Sequence, residues 1–226
     1  GNGHIRVHDH IVPEPGMAKI PSLPRVGMSF TANPSLCDIS YYGRGSDENY
    51  PDRKTGSFLK IWNTSPSKMG YDYIVPSENG NRSDCEWLLL RSNGTASKNK
   101  TALKNGCGLL IVADNDASDS ASTSASTAAF HCSALLHTAS ELNRATHTHE
   151  LEARKDAESP IHVNIDHELM GVAGDVSWFP CVYPEFLVDA KAERSHSLWL
   201  IPLQDGMADG ANIDAIPRLA STAGSC

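Results

Sequence analysis

Two histidines and a glutamate lie close together in the sequence, at His147, His149 and Glu150. In a strand, alternate residues point to the same side of the sheet, so both imidazoles would share one face. Together with His162 or His167, such a pair would supply nitrogen ligands of the kind that Zn²⁺ prefers. Histidines at alternate positions are also common on polar strand faces and as hydrogen-bonded core residues. The pattern favours hydrogen-bonding roles over a metal site.

Short apolar and alternating segments, separated by Gly, Pro, Asn and Asp, run along most of the chain. Alternation with a period of two predicts half-buried strands, and many such strands with turn residues between them predict an all-β antiparallel sandwich. The predicted strands are Ile5 to His8, Arg25 to Phe30, Cys85 to Leu90, Leu109 to Val112, Ile161 to Ile165, Phe186 to Val188 and Leu198 to Ile201. One helix is predicted at Ala134 to Arg144, with Ser133 as its cap.

Residues 1–203 are assigned to one large sandwich domain, a size that allows a sizeable core. Two segments within it, 92–105 and 114–129, have compositions typical of surface insertions: the first is polar and rich in Lys, the second nearly all Ser, Ala, Thr and Asp. Residues 204–226, rich in Gly, Ala and Asp, are predicted to form a flexible tail.

The net charge is -8, which disfavours binding to nucleic acid or to an anionic membrane surface. Six widely spaced cysteines form no C-x-x-C pair, so free buried thiols are expected. Free thiols are typical of a cytoplasmic protein. Four N-x-S/T sequons would instead suit a secreted glycoprotein, so both compartments stay open. These sequons begin at Asn63, Asn81, Asn93 and Asn99.

Six motifs follow one another in the order found in the C-terminal domain of family 2 β-galactosidases, which this chain resembles from about Leu23 to about Leu200. They are Y-Y-G-R-G-S-D-E-N-Y-P-D-R-K at Tyr41 to Lys54, E-N-G-N-R at Glu78 to Arg82, A-T-H-T-H-E-L at Ala145 to Leu151, N-I-D-H-E-L-M-G at Asn164 to Gly171, G-D-V-S-W-F-P at Gly174 to Pro180 and P-E-F at Pro184 to Phe186. A chance match to one motif would not bring the others in order.

The resemblance implies a supersandwich like that of the galactose mutarotases, and a domain that completes the sugar pocket of a catalytic barrel. Retaining glycoside hydrolysis needs two carboxyl groups about 5 Å apart. In the family both come from the barrel, and none of the 27 Asp and Glu of this chain stands in a motif resembling those segments. No catalytic residue, metal or cofactor is therefore assigned here, while Mg and Na are expected in the catalytic domain. The chain is expected to be a fragment or a small subunit that is inactive alone and needs the barrel as its partner.

By the same resemblance, Trp178 matches the aromatic platform beneath the sugar, with Asp175 beside it. An indole offers a rigid apolar face to the C–H face of a pyranose. The alternative is that Trp178 is buried between the sheets. In related enzymes the loop of Gly45, Glu48 and Asn49 borders the active site, so these residues complete the predicted substrate contacts.

Glycines at positions 43 and 45 and a proline at position 51 predict that this loop pivots at its start. Alternatively, the segment is a tight connection in which Asp52 and Arg53 hold each other and nearby backbone. Arg82 is interpreted as a structural brace of the turn at Asn79 and Gly80, with a sugar contact as the other interpretation.

Three positions depart from the family pattern. Ser46 replaces a Pro, which predicts a more mobile loop, and Ala173 and Val176 replace a Gly and an Asp. Two further functions stay open: a mutarotase-like enzyme that pairs a histidine with a carboxylate, and a galactoside-binding module, intact or degenerate, without turnover.

Overall fold

The computed structural model describes residues 3–92, 94, 103–114, 129–176, 178–179 and 181–204. The strands of this part are β1 (Ile5–Ile11), β2 (Arg25–Ala32), β3 (Asp38–Gly45), β4 (Phe58–Thr64), β5 (Arg82–Cys85), β6 (Trp87–Arg91), β7 (Gly108–Ala113), β8 (Phe130–Leu135), β9 (Ile161–Leu169) and β10 (Arg194–Leu203). Its α-helices are α1 (Pro66–Met69) and α2 (Ala139–Arg144), and single 3₁₀ turns cover Pro15–Lys19, Thr148–Glu150 and Pro184–Phe186.

Two antiparallel sheets pack face to face, which confirms the predicted all-β sandwich. The larger sheet has the order β1-β10-β7-β6-β3-β4, and the smaller has the order β2-β9-β8-β5. Apolar side chains at alternate positions fill the space between them, among them Ile39 and Tyr41 of β3 and Val163 and Ile165 of β9. None of the described helices is long and apolar enough to cross a membrane.

The predicted strand at Cys85 to Leu90 is in fact the junction of two strands. β5 belongs to the smaller sheet and β6 to the larger, and Glu86 separates them. A register shift between Arg82 and Cys85, together with a left-handed backbone at Asp84 (φ 54°), turns the chain from one sheet to the other. Because apolar residues lie on both sides of the junction, the sequence pattern predicted one continuous strand there.

Three local predictions were wrong. The first two residues of the predicted helix, Ala134 and Leu135, belong to strand β8, as does Ser133, and the observed helix begins at Ala139. Its cap is Thr138, whose side chain accepts a hydrogen bond from the backbone N–H of Glu141 while the Glu141 carboxylate accepts from the N–H of Thr138. The predicted strand at Phe186 is instead the end of a 3₁₀ turn that starts with Pro184, and only Val188 forms an isolated bridge. The segment of His147 and His149 contains a 3₁₀ turn rather than a strand.

The cysteines and sequons give a mixed outcome. The five described cysteines are free, as predicted, but only three of them are buried, since Cys107 is half-buried and Cys181 is exposed. The sequon at Asn81 is buried in the fold, with 2% of that residue exposed, so a glycan there is incompatible with this structure. Most of the two predicted insertions, and residues 205–226 of the predicted tail, lie outside the described residues.

Candidate functional site

Trp178 is one of the most exposed residues of the described chain. Its exposed fraction is 90%, and its neighbours Phe179 and Tyr183 are also exposed. The interpretation of Trp178 as a residue buried between the sheets is therefore wrong. Exposed aromatic side chains are a common feature of surfaces that bind a ligand or another protein. We call Trp178, Phe179 and Tyr183 the aromatic surface.

The segment that leads to Trp178 is held by the Asp52 carboxylate. Its Oδ1 accepts a hydrogen bond from the backbone N–H of Val172 (3.1 Å), and its Oδ2 accepts one from that of Ala173 (2.8 Å). Hydrogen bonds to a charged acceptor are about twice as strong as neutral ones. Gly171 permits this approach, because a Cβ there would lie 2.5 Å from Asp52 Oδ2.

Arg53 holds the same segment from the next position. Its Nε donates to the Ala173 carbonyl at 2.6 Å, and its Nη2 lies 3.4 Å from Asp175 Oδ1. The backbone of Gly174 takes the left-handed region at φ 101°, and a Cβ there would lie 2.8 Å from Arg53 Nη2. Asp52 and Arg53 thus bind the segment 171–175 rather than each other. The sequence predicted local bracing by these two residues and missed this contact with a segment 120 residues away.

The other predicted sugar contacts, in the loop of Gly45, Glu48 and Asn49, are engaged within the protein. Gly45 is buried, and a Cβ there would lie 2.4 Å from the Tyr41 hydroxyl. Glu48 accepts a hydrogen bond from the Gly80 N–H at 2.7 Å and another from the Tyr73 hydroxyl. This second bond is the main reason why the pKa of Tyr73 is raised to about 12.

Asn49 is 1% exposed. Its amide nitrogen donates to the carbonyls of Arg44 and Asp47, each at 3.0 Å, and its amide oxygen accepts from the N–H of Ser83 at 2.9 Å. The amide nitrogen of Asn81 donates a hydrogen bond to the backbone carbonyl of Asn49 at 2.7 Å. The loop is therefore fastened to the turn at residues 78–82 and to β5, and the roles of its side chains as sugar contacts stay predictions.

Arg82 is buried beneath this turn. Its guanidinium donates to the carbonyls of Gly80 and Asn81, each at 3.1 Å, and to the Tyr41 hydroxyl at 3.0 Å. Gly80 has φ 79°, as the apex of such a turn requires. The interpretation of Arg82 as a structural brace is confirmed.

The histidine segment forms a local hydrogen-bonded turn. Glu150 accepts bonds from the backbone N–H of Thr146 (2.8 Å) and from its hydroxyl (2.7 Å), and these bonds lower the pKa of Glu150 to about 2. The Nδ1 of His147 lies 3.6 Å from Glu150. Within the described residues, no group of three or more His, Cys, Asp or Glu is placed to hold a metal ion.

Comparison with known proteins gives a consistent result. Residues 1–200 match the family described as the β-galactosidase small chain. The β-galactosidase of Pseudoalteromonas haloplanktis is 34% identical over 173 residues, which is 76% of this chain and 13% of that protein. That of Lactobacillus delbrueckii subsp. bulgaricus is 31% identical over 84% of this chain, and that of Priestia megaterium is 27% identical over 89% of it. The chain spans only 13% to 16% of the length of these relatives.

Proposed function

Because this chain belongs to the β-galactosidase small-chain family, we propose that it completes the galactoside pocket of a β-galactosidase whose catalytic barrel lies on another segment or another chain. The observation that carries the proposal is the exposed indole of Trp178, at the end of a segment that Asp52 and Arg53 fix to the sandwich. A side chain that must meet a sugar gains affinity from being held in place beforehand.

In this proposal Trp178 lies against the C–H face of the galactosyl ring, while the ring hydroxyls bind groups of the partner. Asp175 lies beside the platform and is oriented by Arg53. The loop that contains Gly45, Glu48 and Asn49 forms the neighbouring wall of the pocket, and the contacts of Glu48 and Asn49 with residues 73–83 set the shape of that wall. We assign the two carboxylates of a retaining hydrolysis to the barrel, together with the Mg and Na ions, so this chain alone is expected to be inactive.

We also propose a cytoplasmic location. The five free thiols support it, because thiols persist in a reducing compartment. The burial of Asn81 also weakens the case for a glycoprotein, which rested on the four sequons.

Hydrolysis of a chromogenic β-galactoside tests the proposed function. The purified chain is assayed alone and then mixed with a β-galactosidase fragment that contains the barrel and lacks this domain. We expect activity only in the mixture. Trp178→Ala should raise KM about tenfold, which corresponds to roughly 1.4 kcal/mol, and Trp178→Phe should raise it less.

Both variants are assayed at saturating concentrations of the barrel fragment, and Tyr183→Ala is the matched control, since it removes another exposed aromatic side chain outside the predicted platform and should leave KM unchanged. Hydrolysis by the chain alone would overturn the assignment of the carboxylates to the barrel. An unchanged KM in the Trp178→Ala mixture would remove Trp178 from the pocket. If the chain binds galactosides but never restores turnover, it is a galactoside-binding module, which the exposed indole would also serve.

A further inference from the structure

The outer face of the smaller sheet carries a regular array of polar side chains. Ser29 of β2, Asn164 of β9 and Ser133 of β8 are register partners and form one row across three strands. Thr31 and His162 form part of the next row. Alternate residues of a strand face opposite sides of a sheet, and the intervening positions of these strands fill the core. We call these five residues the polar array.

The polar array forms the floor of a cavity of about 680 Å³. One wall is helix α2 with the residues before it, and Leu135 and Leu142 add apolar surface. Towards the start of β2 the cavity is bounded by Arg25 and Glu78. Cavities that bind small molecules typically have about 300–1,000 Å³ and combine apolar walls with a few polar groups.

The polar array has unused hydrogen-bonding capacity. The side chains of Ser29, Thr31 and His162 make no hydrogen bond within the described part of the chain. Asn164 donates from Nδ2 to the Ser133 hydroxyl at 3.0 Å, which leaves its amide oxygen available. Burial lowers the pKa of His162, so its neutral imidazole offers one donor and one acceptor. Each free group of the floor therefore donates, accepts or does both, and none of them is charged.

The charges at the edge of the cavity are already paired. Arg25 lies 2.5 Å from Glu78 Oε2 and 3.3 Å from Asp166 Oδ2. A guanidinium that is paired with Glu78 and in contact with the carboxyl group of Asp166 is a poor site for an anion. Uncharged groups that donate and accept suit hydroxyls, which do the same, and Leu135 and Leu142 suit the C–H surface of a sugar ring.

We propose that this cavity binds a neutral monosaccharide, at a site separate from the Trp178 platform. None of the residues that line the cavity belongs to the loop of residues 45–53 or to the segment 171–178. A sugar bound here would lie on the smaller sheet, and the platform would keep its own ligand. The proposal does not depend on the chain completing a catalytic pocket.

Nuclear magnetic resonance titration of the 226-residue Trp178→Ala chain with galactose tests the proposal, because this variant removes the platform. We expect saturable shifts of the Thr31 and Ser133 amides and of the His162 ring, with a Kd of about 1–10 mM, the range of a few hydrogen bonds and one apolar contact. In the Trp178→Ala background, Ser29→Ala and Thr31→Val should each weaken binding about threefold to tenfold.

Thr64→Val on β4 is the matched control, since it makes the same change outside the cavity and should leave binding unchanged. Thermal unfolding of each variant identifies any that fails to fold, and His162→Gln, which keeps a donor and an acceptor, should then retain measurable binding. Three results would overturn the proposal. The first is the absence of saturable shifts at the polar array, and the second is binding by the Ser29→Ala and Thr31→Val variants that is as strong as that of the Trp178→Ala chain. The third is stronger shifts with inorganic phosphate than with galactose.

Discussion

At the scale of single residues, the carboxyl group of Asp166 is buried on the smaller sheet, and only 3% of this residue is exposed. Burial raises the pKa of Asp166 to about 7, Arg25 opposes this shift, and Glu78 adds to it. The folded protein therefore holds the proton more tightly than the unfolded chain between about pH 4 and pH 7. In this window the contribution of Asp166 to stability falls as the pH rises.

The variant Asp166→Asn tests this, because it removes the titration and keeps the shape. The difference in unfolding free energy, variant minus natural chain, should be more positive at pH 8 than at pH 5 by on the order of 2 kcal/mol, so the variant is relatively more stable at pH 8. Urea unfolding of both proteins at the two pH values measures the difference. The comparison with the natural chain cancels the opposite effect of buried histidines such as His196, whose pKa burial lowers to about 4. If the unfolding free energies of the two proteins differ by the same amount at pH 5 and at pH 8, the prediction is wrong.

At the scale of elements, the segment after β9 owes its position to the loop after β3. Asp52 and Arg53 bind residues 172–175 through side-chain contacts, and the aromatic surface follows directly. Ala173, which replaces a glycine of the family pattern, takes the left-handed region at φ 60°. That conformation costs a residue with a Cβ about 1–2 kcal/mol, so the contacts of Asp52 must also offset this strain.

Asp52→Ala should therefore loosen the platform without touching the sugar. In the mixture with the barrel fragment we expect KM to rise about fivefold to tenfold with little change in kcat, and Asp52→Asn to restore part of the loss. The indole N–H resonance of Trp178 should broaden or shift in Asp52→Ala, which reports its position directly. Asp47 is an exposed aspartate of the same loop, so Asp47→Ala is the control and should change neither KM nor the indole resonance of Trp178. A drop in kcat alone, with an unchanged indole signal, would show that Asp52 does not position Trp178.

At the scale of the whole molecule, the aromatic surface is the feature that a partner is expected to cover. Trp178 is far more exposed than the other tryptophans, of which Trp87 is buried and Trp62 and Trp199 are half-buried. Quenching of tryptophan fluorescence by acrylamide should therefore report mainly on Trp178, and a partner that covers this residue should reduce the quenching.

Association should also stabilise the chain. A partner that binds only the folded chain raises its free energy of unfolding, by about 2.7 kcal/mol at a partner concentration 100 times Kd.

Adding a tryptophan-free version of the barrel fragment should lower the quenching constant of this chain and raise its unfolding temperature. Both effects should grow with fragment concentration and saturate together. In the Trp178→Phe chain the change in quenching should largely disappear while the thermal shift remains. A thermal shift without protection of Trp178 would place the partner on another face of the sandwich.

The sequence by itself determined the fold class and several strands, because side-chain alternation is a local property. β2 and β9 bury one face, so their pattern could be predicted, and β1 was predicted from its alternating side chains although most of it is exposed. β4 is exposed along most of its length and gave no such signal, and the apolar Leu135 and Leu136 led the helix prediction into β8. The ordered motifs also indicated the family, which the match of residues 1–200 confirms.

Only the tertiary structure decided which motif residues face solvent and which hold the fold. Trp178 and Asn49 both belong to family motifs, yet one is 90% exposed and the other 1%. The hydrogen bond between Asp52 and Ala173 joins residues from distant parts of the chain. So does the strand register that aligns Ser29, Asn164 and Ser133. Such contacts depend on how the strands pair and how the sheets pack, and neither is encoded in the spacing of neighbouring residues.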